Sequence, residues 1–437
     1  MLKYYNNITN TLTIPYKFNN ELKNIPNNTK IITFNTYNRS LYCREIKQNV
    51  LPINLHTLEL GYSFNKEIKK YVLPSNLHTL NLGYIYNQGI KENVLPKNLQ
   101  ILIFSNKYNK KIKENVLPIN LHTLEFGYSF DKEIQKNVLP KNLHTLNLGY
   151  IYNQEIKENV LPKNLHILIF SNDYNKEIKV NILPNNLHTL TFGFDFNKEI
   201  KENVLPNNLH TLTFNFCFNQ EIKENVLPKS LHTLTFHYYS LFNQEIKQHV
   251  LPSNLHTLTF GSHFNKEIKV NVLPKSLHTL TFGINFNKVI KVNVLPNNLH
   301  TLTFGFDFNK EIKENVLPIN LHTLEFGYNF NQEIKQHVLP SNLHTLTFGM
   351  NFNKEIKVNV LPKSIKKINL FPCCNFINNL PLQLEEVCIE FCINDKYNKE
   401  VNNLPMTLEK IIIKDEKYLK YITKIPFGCN IVIQKIE

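Results

Sequence analysis

A Leu-Pro pair returns at residues 51, 73, 95, 117, 139, 161, 183, 205, 227, 251, 273, 295, 317, 339 and 361, and thirteen of the fourteen intervals are 22 residues. A short fixed period restricts the fold severely. One period is too small to bury its own apolar side, so it closes a core only by stacking on copies of itself. The string LPNNLHTLTFGFDFNKEIKENV at residues 183–204 recurs letter for letter at 295–316. Residues 51–116 and 117–182 match as blocks of three repeats, each running HTLE, HTLN and then ILIFSN. Triplets and single repeats have therefore been duplicated. The one longer interval, 24 residues, holds an enlarged turn at Tyr239, Ser240 and Leu241.

Within one repeat the pattern is that of a short half-buried strand. From Thr189 the segment alternates polar and apolar, which sends Leu190 and Phe192 inward and leaves Thr189 and Thr191 facing solvent. Leu187 packs at the entry, and Gly193 ends the strand where the backbone is expected to turn. Phe196 and Ile200 return to the core, and Val204, Leu205 and Pro206 close the far side. The four-residue spacing of Ile200 and Val204 leaves room for one helical turn, and Pro206 bars anything longer. The reading is a β-rich solenoid with a parallel sheet of about 20 short strands on 22-residue rungs. Turns or one-turn helices form the other side.

The ends are worn copies of the same pattern. Leu12 to Asn19 matches LTFGFDFN, and Ile25-Pro26-Asn27-Asn28 followed by Ile31 to Phe34 matches LPNN with its strand. After residue 361 the Leu-Pro-like spacing loosens, with strand cores at 387–389, 411–413 and 431–433. We therefore expect degenerate N-terminal repeats over 1–50, a regular array over 51–364 and irregular C-terminal repeats over 365–437. Terminal repeats of a solenoid close an apolar end and depart from the consensus for that reason.

The LxxLxL pattern followed by a turn and an Asn resembles the leucine-rich repeat. Phe196-Asn197 with Ile200 and the recurring Leu-Pro resemble, more specifically, the FNIP repeat, a leucine-rich-repeat-like unit of proteins from social amoebae and from giant viruses of amoebae. The resemblance extends over nearly the whole chain. It implies a leucine-rich-repeat-like solenoid and, for a viral member, a place in the host cytoplasm. Some members carry an F-box or a kinase domain, and this sequence shows neither.

Composition excludes several function classes. The net charge is +14, but Lys is interspersed with Glu and Gln around each repeat, so no nucleic-acid partner is expected. No run approaches the ~18 apolar residues of a membrane span, and MLKYYNNITN lacks an apolar leader. Seven Cys in 437 residues are too sparse for a disulfide framework. A cytoplasmic monomer is expected. No P-loop, Rossmann fingerprint, GxSxG or HExxH occurs, so no catalytic residue, metal or cofactor is expected.

Several positions repeat as ladders. A His follows the first Leu of most repeats, from His56 and His78 to His344, with Gln100 as the exception. It reads as a polar row at the entrance of the sheet, since a metal site needs convergent ligands. An Asn follows the core Phe or Tyr, as in Asn65, Asn87 and Asn197, and suits hydrogen bonding to its own turn and the next rung.

Departures from the repeat are the better guide to function. Ile101 with Ile103, and Ile167 with Ile169, replace the outward polar pair three rungs apart, ~14 Å along the sheet. Apolar residues on a polar face are candidate contact points. Glu59, Asn81, Glu125 and Asn147 take the second outward position in neighbouring repeats. Tyr238, Tyr239 and Leu241 form a second candidate, a rim loop with aromatics. Cys373, Cys374 and Cys392 fit no standard zinc spacing and read as ordinary thiols. The function expected is a non-enzymatic protein–protein interaction scaffold for an unknown protein partner. The alternative is a structural or assembly component, for example of a virus, with no dedicated binding site.

Overall fold

The computed structural model describes residues 2–34, 39–371, 380–391, 400–402 and 404–434. Two compact units divide it, Met1–Phe218 and Asn219–Glu437. Each unit is a stack of rungs, one short strand per rung.

The first unit holds β1 (Tyr5–Asn6), β2 (Thr11–Ile14), β3 (Ile31–Phe34), β4 (Thr57–Glu59), β5 (Thr79–Asn81), β6 (Ile101–Ile103), β7 (Thr123–Glu125), β8 (Thr145–Asn147), β9 (Ile167–Ile169), β10 (Thr189–Thr191) and β11 (Thr211–Phe214). From β2 onward every neighbouring pair is parallel. Thr189, Leu190 and Thr191 lie opposite Thr211, Leu212 and Thr213. The two-residue β1 is antiparallel to β2 and is the one strand the repeat pattern does not foretell.

The second unit holds β12 (Thr233–Phe236), β13 (Thr257–Thr259), β14 (Thr279–Thr281), β15 (Thr301–Thr303), β16 (Thr323–Glu325), β17 (Thr345–Thr347), β18 (Lys367–Leu370), β19 (Glu386–Ile389), β20 (Lys410–Ile413) and β21 (Asn430–Ile433). It too is parallel and in register throughout. Among the described residues the helices are two 3-10 segments, Leu2–Tyr4 and Glu416–Tyr421.

The seven core positions of the repeat are all buried: Leu187, Leu190, Phe192, Phe196, Ile200, Val204 and Leu205. Their counterparts on other rungs form columns. Phe192 stacks on Phe196 within the rung (centroids 4.0 Å apart) and on Phe214 of the next (5.2 Å). Burying apolar area in this way drives the stacking, because one rung alone leaves both of its flat sides open to water.

Two local expectations change. The segment between Ile200 and Val204 is a turn without a helix, because Asn203 adopts a left-handed φ of 62°, which an α-helix of L-residues does not tolerate. An equivalent residue takes a left-handed φ on rung after rung, from Asn93 to Asn359. The second change concerns Gly193. Its φ is not left-handed, but a Cβ there would lie 1.6 Å from the carbonyl oxygen of Ser171 on the preceding rung. Close approach of neighbouring rungs selects glycine here.

Candidate interaction surfaces

The strand ladder sets the outward face. The carbonyl of His188 accepts from the N–H groups of both His210 and Thr211 at 2.9 Å, so each rung enters the sheet in step with the next. In the first unit this registry aligns Ile101 and Ile103 with Thr123 and Glu125, those with Thr145 and Asn147, and those with Ile167 and Ile169. All four Ile side chains are half-buried, while Leu102 and Leu168 between them point fully inward. Glu59 is half-buried two strands before β6, opposite Thr33 and Asn81, and Glu125 is half-buried directly opposite Ile103. The four Ile therefore form two apolar bars on one polar sheet face, separated by the two strands β7 and β8.

Tyr238 and Tyr239 belong to the second unit. They are 56% and 58% exposed and meet edge to face with centroids 4.8 Å apart. Ser240 beneath them is buried and Leu241 is half-buried. The Ile bars and this aromatic turn thus fall in different compact units.

The His row is a stack of rings. Neighbouring imidazoles lie 4.9 to 5.2 Å apart, as in His56–His78 and His188–His210. Nδ1 of His188 lies 2.6 Å from the carbonyl oxygen of Asn186, and that of His210 lies 2.7 Å from Asn208. A carbonyl only accepts, so Nδ1 carries the proton and donates. Parallel rings tied to their own turns do not converge on a metal, and the described residues contain no cluster of three or more metal-ligating side chains. The Asn row has the same structural character. Oδ1 of Asn175 accepts from the backbone N–H of Asn197 at 3.1 Å, and Oδ1 of Asn153 does so for Asn175. Cys373, Cys374 and Cys392 lie outside the described residues. Cys43, Cys217, Cys388 and Cys429 are free thiols.

Two grooves and one row of rings were not anticipated. A groove of about 1300 Å³ in the first unit runs along the Leu-Pro side, past Leu51, Pro52, Leu73, Pro74 and Leu95. One of about 730 Å³ in the second unit is lined by Asn265, Asn287, Asp307, Asn309 and their neighbours on adjacent rungs. The rings stand on the rim just past the strands: Tyr128 on Tyr150 and Phe194 on Phe216, each pair with centroids 4.4 Å apart. The repeat pattern places that position in the turn, and the signal for it in the sequence is the recurrence of aromatic residues there, at Tyr62, Tyr84, Tyr128, Tyr150, Phe194 and Phe216.

The chain is similar in structure to CroV588 of the giant virus CroV, described as a circular LRR protein, with a TM-score of 0.71 and 38% identity over 97% of this chain and 72% of that one. Weaker likenesses are to the internalin InlF of Listeria monocytogenes (TM-score 0.44, 18% identity, 62% of this chain and 80% of that one). Another is to a chain of the mouse RP105/MD-1 complex (TM-score 0.49, 14% identity, 92% and 83%). No curated protein matches the sequence. The FNIP Repeat model matches residues 42–85, 64–107, 86–129, 108–151, 152–195, 196–239, 242–285, 286–329, 330–373 and 352–392. With the FNIP Repeat model matched from residue 42 to 392, most matches spanning two 22-residue rungs of a leucine-rich-repeat-like solenoid, the chain belongs to the FNIP-repeat family.

Proposed function

We propose that this protein is a non-enzymatic scaffold that holds another protein against its solvent-facing sheet surface. The observation that supports it is the pair of apolar bars, Ile101 with Ile103 and Ile167 with Ile169, half-exposed on a face whose other outward positions from β4 to β11 are Thr, Glu and Asn. Half-exposed Ile side chains gain by being covered, each by about 1 kcal/mol for half of its apolar area. Glu59 and Glu125 would set charge around the bars, and Tyr238, Tyr239 and Leu241 would offer a separate anchor.

Affinity capture with mass spectrometry tests this. The wild-type chain should retain a specific protein that the fourfold Ile→Ser variant (101, 103, 167 and 169) loses. Identical partner lists would remove the sheet face as the site. The structural or assembly reading finds support in the similarity to a giant-virus protein, and recovery with particles alone would favour it. No described helix is long and apolar enough to cross a membrane. Free thiols suit a reducing compartment, and we place the scaffold in the cytoplasm, of the host if the protein is viral. Imaging of a tagged chain checks that placement.

A further inference from the structure

In the second unit two columns of short polar side chains cross successive rungs and line the groove of about 730 Å³. The inner column holds Asn265, Asn287, Asn309 and Asn331, and the outer column holds Asn285, Asp307, Asn329 and Asn351. Main-chain bonds keep the outer column in step. The N–H groups of Asp307 and Asn329 donate to the carbonyls of Ile284 and Phe306 on the preceding rungs at 2.8 and 2.9 Å. All of these side chains except Asn351 are half-buried.

The two columns present opposite chemistry. Oδ1 of Asn265, Asn287 and Asn309 each accepts the main-chain N–H of the next Asn in the inner column at 3.0 Å. A main-chain N–H only donates, so each amide has a fixed orientation. The inner Nδ2 groups remain as donors, with no acceptor among the described residues. In the outer column the side chains bond one another. Nδ2 of Asn351 donates to Oδ1 of Asn329 at 2.9 Å, and Nδ2 of Asn329 donates to Oδ1 of Asp307 at 3.0 Å. This relay ends on a carboxylate, so the outer column presents acceptors: the second Asp307 oxygen and Oδ1 of Asn351.

We propose that this groove is a binding site for a neutral oligosaccharide laid across the rungs. A hydroxyl both donates and accepts, so a chain of sugar rings satisfies both columns at once. An anion meets the Asp307 carboxylate, and a cation meets the inner row of donors. The main-chain groups of an extended peptide recur every ~3.3 Å, out of step with rungs ~4.8 Å apart. A ring in a linear hexose chain advances by about one rung step, and the four steps from Asn265 to Asn353, roughly 19 Å, hold about four rings. The first unit supplies a comparison. Residues 183–204 and 295–316 are identical, which makes Asp195 the counterpart of Asp307. Its outer-column neighbours are Asp173 and Cys217 in place of Asn285 and Asn329, and Sγ of Cys217 stands 3.8 Å from its Oδ1. No amide relay can form there. The groove belongs to the second unit and the Ile bars to the first, so this site and the scaffold reading stand or fall separately.

Saturation-transfer NMR with the full chain tests the site, with maltohexaose, cellopentaose, laminarihexaose, mannopentaose and chitopentaose as probes. At least one should bind, and its permethylated form, which accepts hydrogen bonds but cannot donate them, should not. Asp307→Ala should weaken binding about tenfold and Asn329→Ala about threefold. Both substitutions leave the main-chain bonds of the rung in place, and circular dichroism verifies that each variant is folded. Asp195→Ala should change nothing. Four results would each overturn the proposal: no transfer to any probe, equal binding of the permethylated form, undiminished binding by both groove variants, or tighter binding of hexagalacturonate. The last, with a carboxylate on every ring, would point to lysine-driven anion binding.

Discussion

Asn203 shows how a single residue sets the path of a rung. Its φ of 62° lies in the left-handed region, where Asn is tolerated because its short side chain bonds locally. Three rungs place other residues in this column: Tyr71 at 66°, His249 at 66° and His337 at 67°. Tyr71 is 70% exposed, so little packing offsets the strain. Tyr71→Asn should raise stability by about 1 kcal/mol, and Asn203→Tyr should lower it by a similar amount. Thermal melts of the two variants read both signs, and unchanged melting would show that the column carries no strain. This column was hidden from sequence reading for a physical reason. Ile200 and Val204 are buried four residues apart, a spacing that a helical turn and a left-handed turn satisfy equally. Hydrophobic periodicity reports which side chains go inward and is blind to the sign of φ.

At the scale of the element, the strands were legible and their packing distance was not. Alternation from Thr189 to Phe192 fixes inward and outward faces locally, so the twenty parallel strands and the half-exposed Ile bars could be read from the pattern. The glycine that follows most strands acts through a contact with the preceding rung, as Gly193 does with Ser171 22 residues away, visible only once rungs are stacked. A Cβ on Gly305 would fall 1.6 Å from the Gly283 carbonyl oxygen, whereas one on Gly89 would meet nothing within 4 Å. Gly305→Ala should therefore destabilise by about 2–4 kcal/mol. Gly89→Ala should be neutral or stabilise by up to ~1 kcal/mol, by restricting the unfolded chain. Comparable melting of the two variants would refute the close-approach account.

For the molecule as a whole, the excess of Lys is less free than the net charge of +14 suggests. Lys179 reaches Glu155 at 2.7 Å, Lys201 reaches Glu177 at 2.7 Å and Lys269 reaches Glu245 at 2.6 Å, each pair joining one rung to the next. Hydrogen bonding to these Lys side chains, then their charge, lowers the pKa of Glu155, Glu177 and Glu245, and Lys47 with Lys23 brings Glu21 down to about 2. Because the folded values lie below the unfolded value of 4.5, the carboxylates add stability above pH 4.5. That contribution disappears as pH falls through the folded values. On the other side, the raised Lys values remove it only in strong alkali. Burial shifts Asp173 and Glu325 the opposite way, so these two groups oppose the trend without reversing it. The pairs are exposed and individually weak, and their effect should emerge from the series. The melting temperature should fall between pH 4.5 and about 2, by less in about 1 M salt, where the pairs are already screened. Rising net charge would also lower it, and a triple Glu→Gln variant at 155, 177 and 245 separates the causes. It should melt below wild type at pH 7 and converge with it as pH falls through the lowered folded values of the three carboxylates. A constant gap across that range would mean that the rung-to-rung ion pairs contribute nothing to holding the stack.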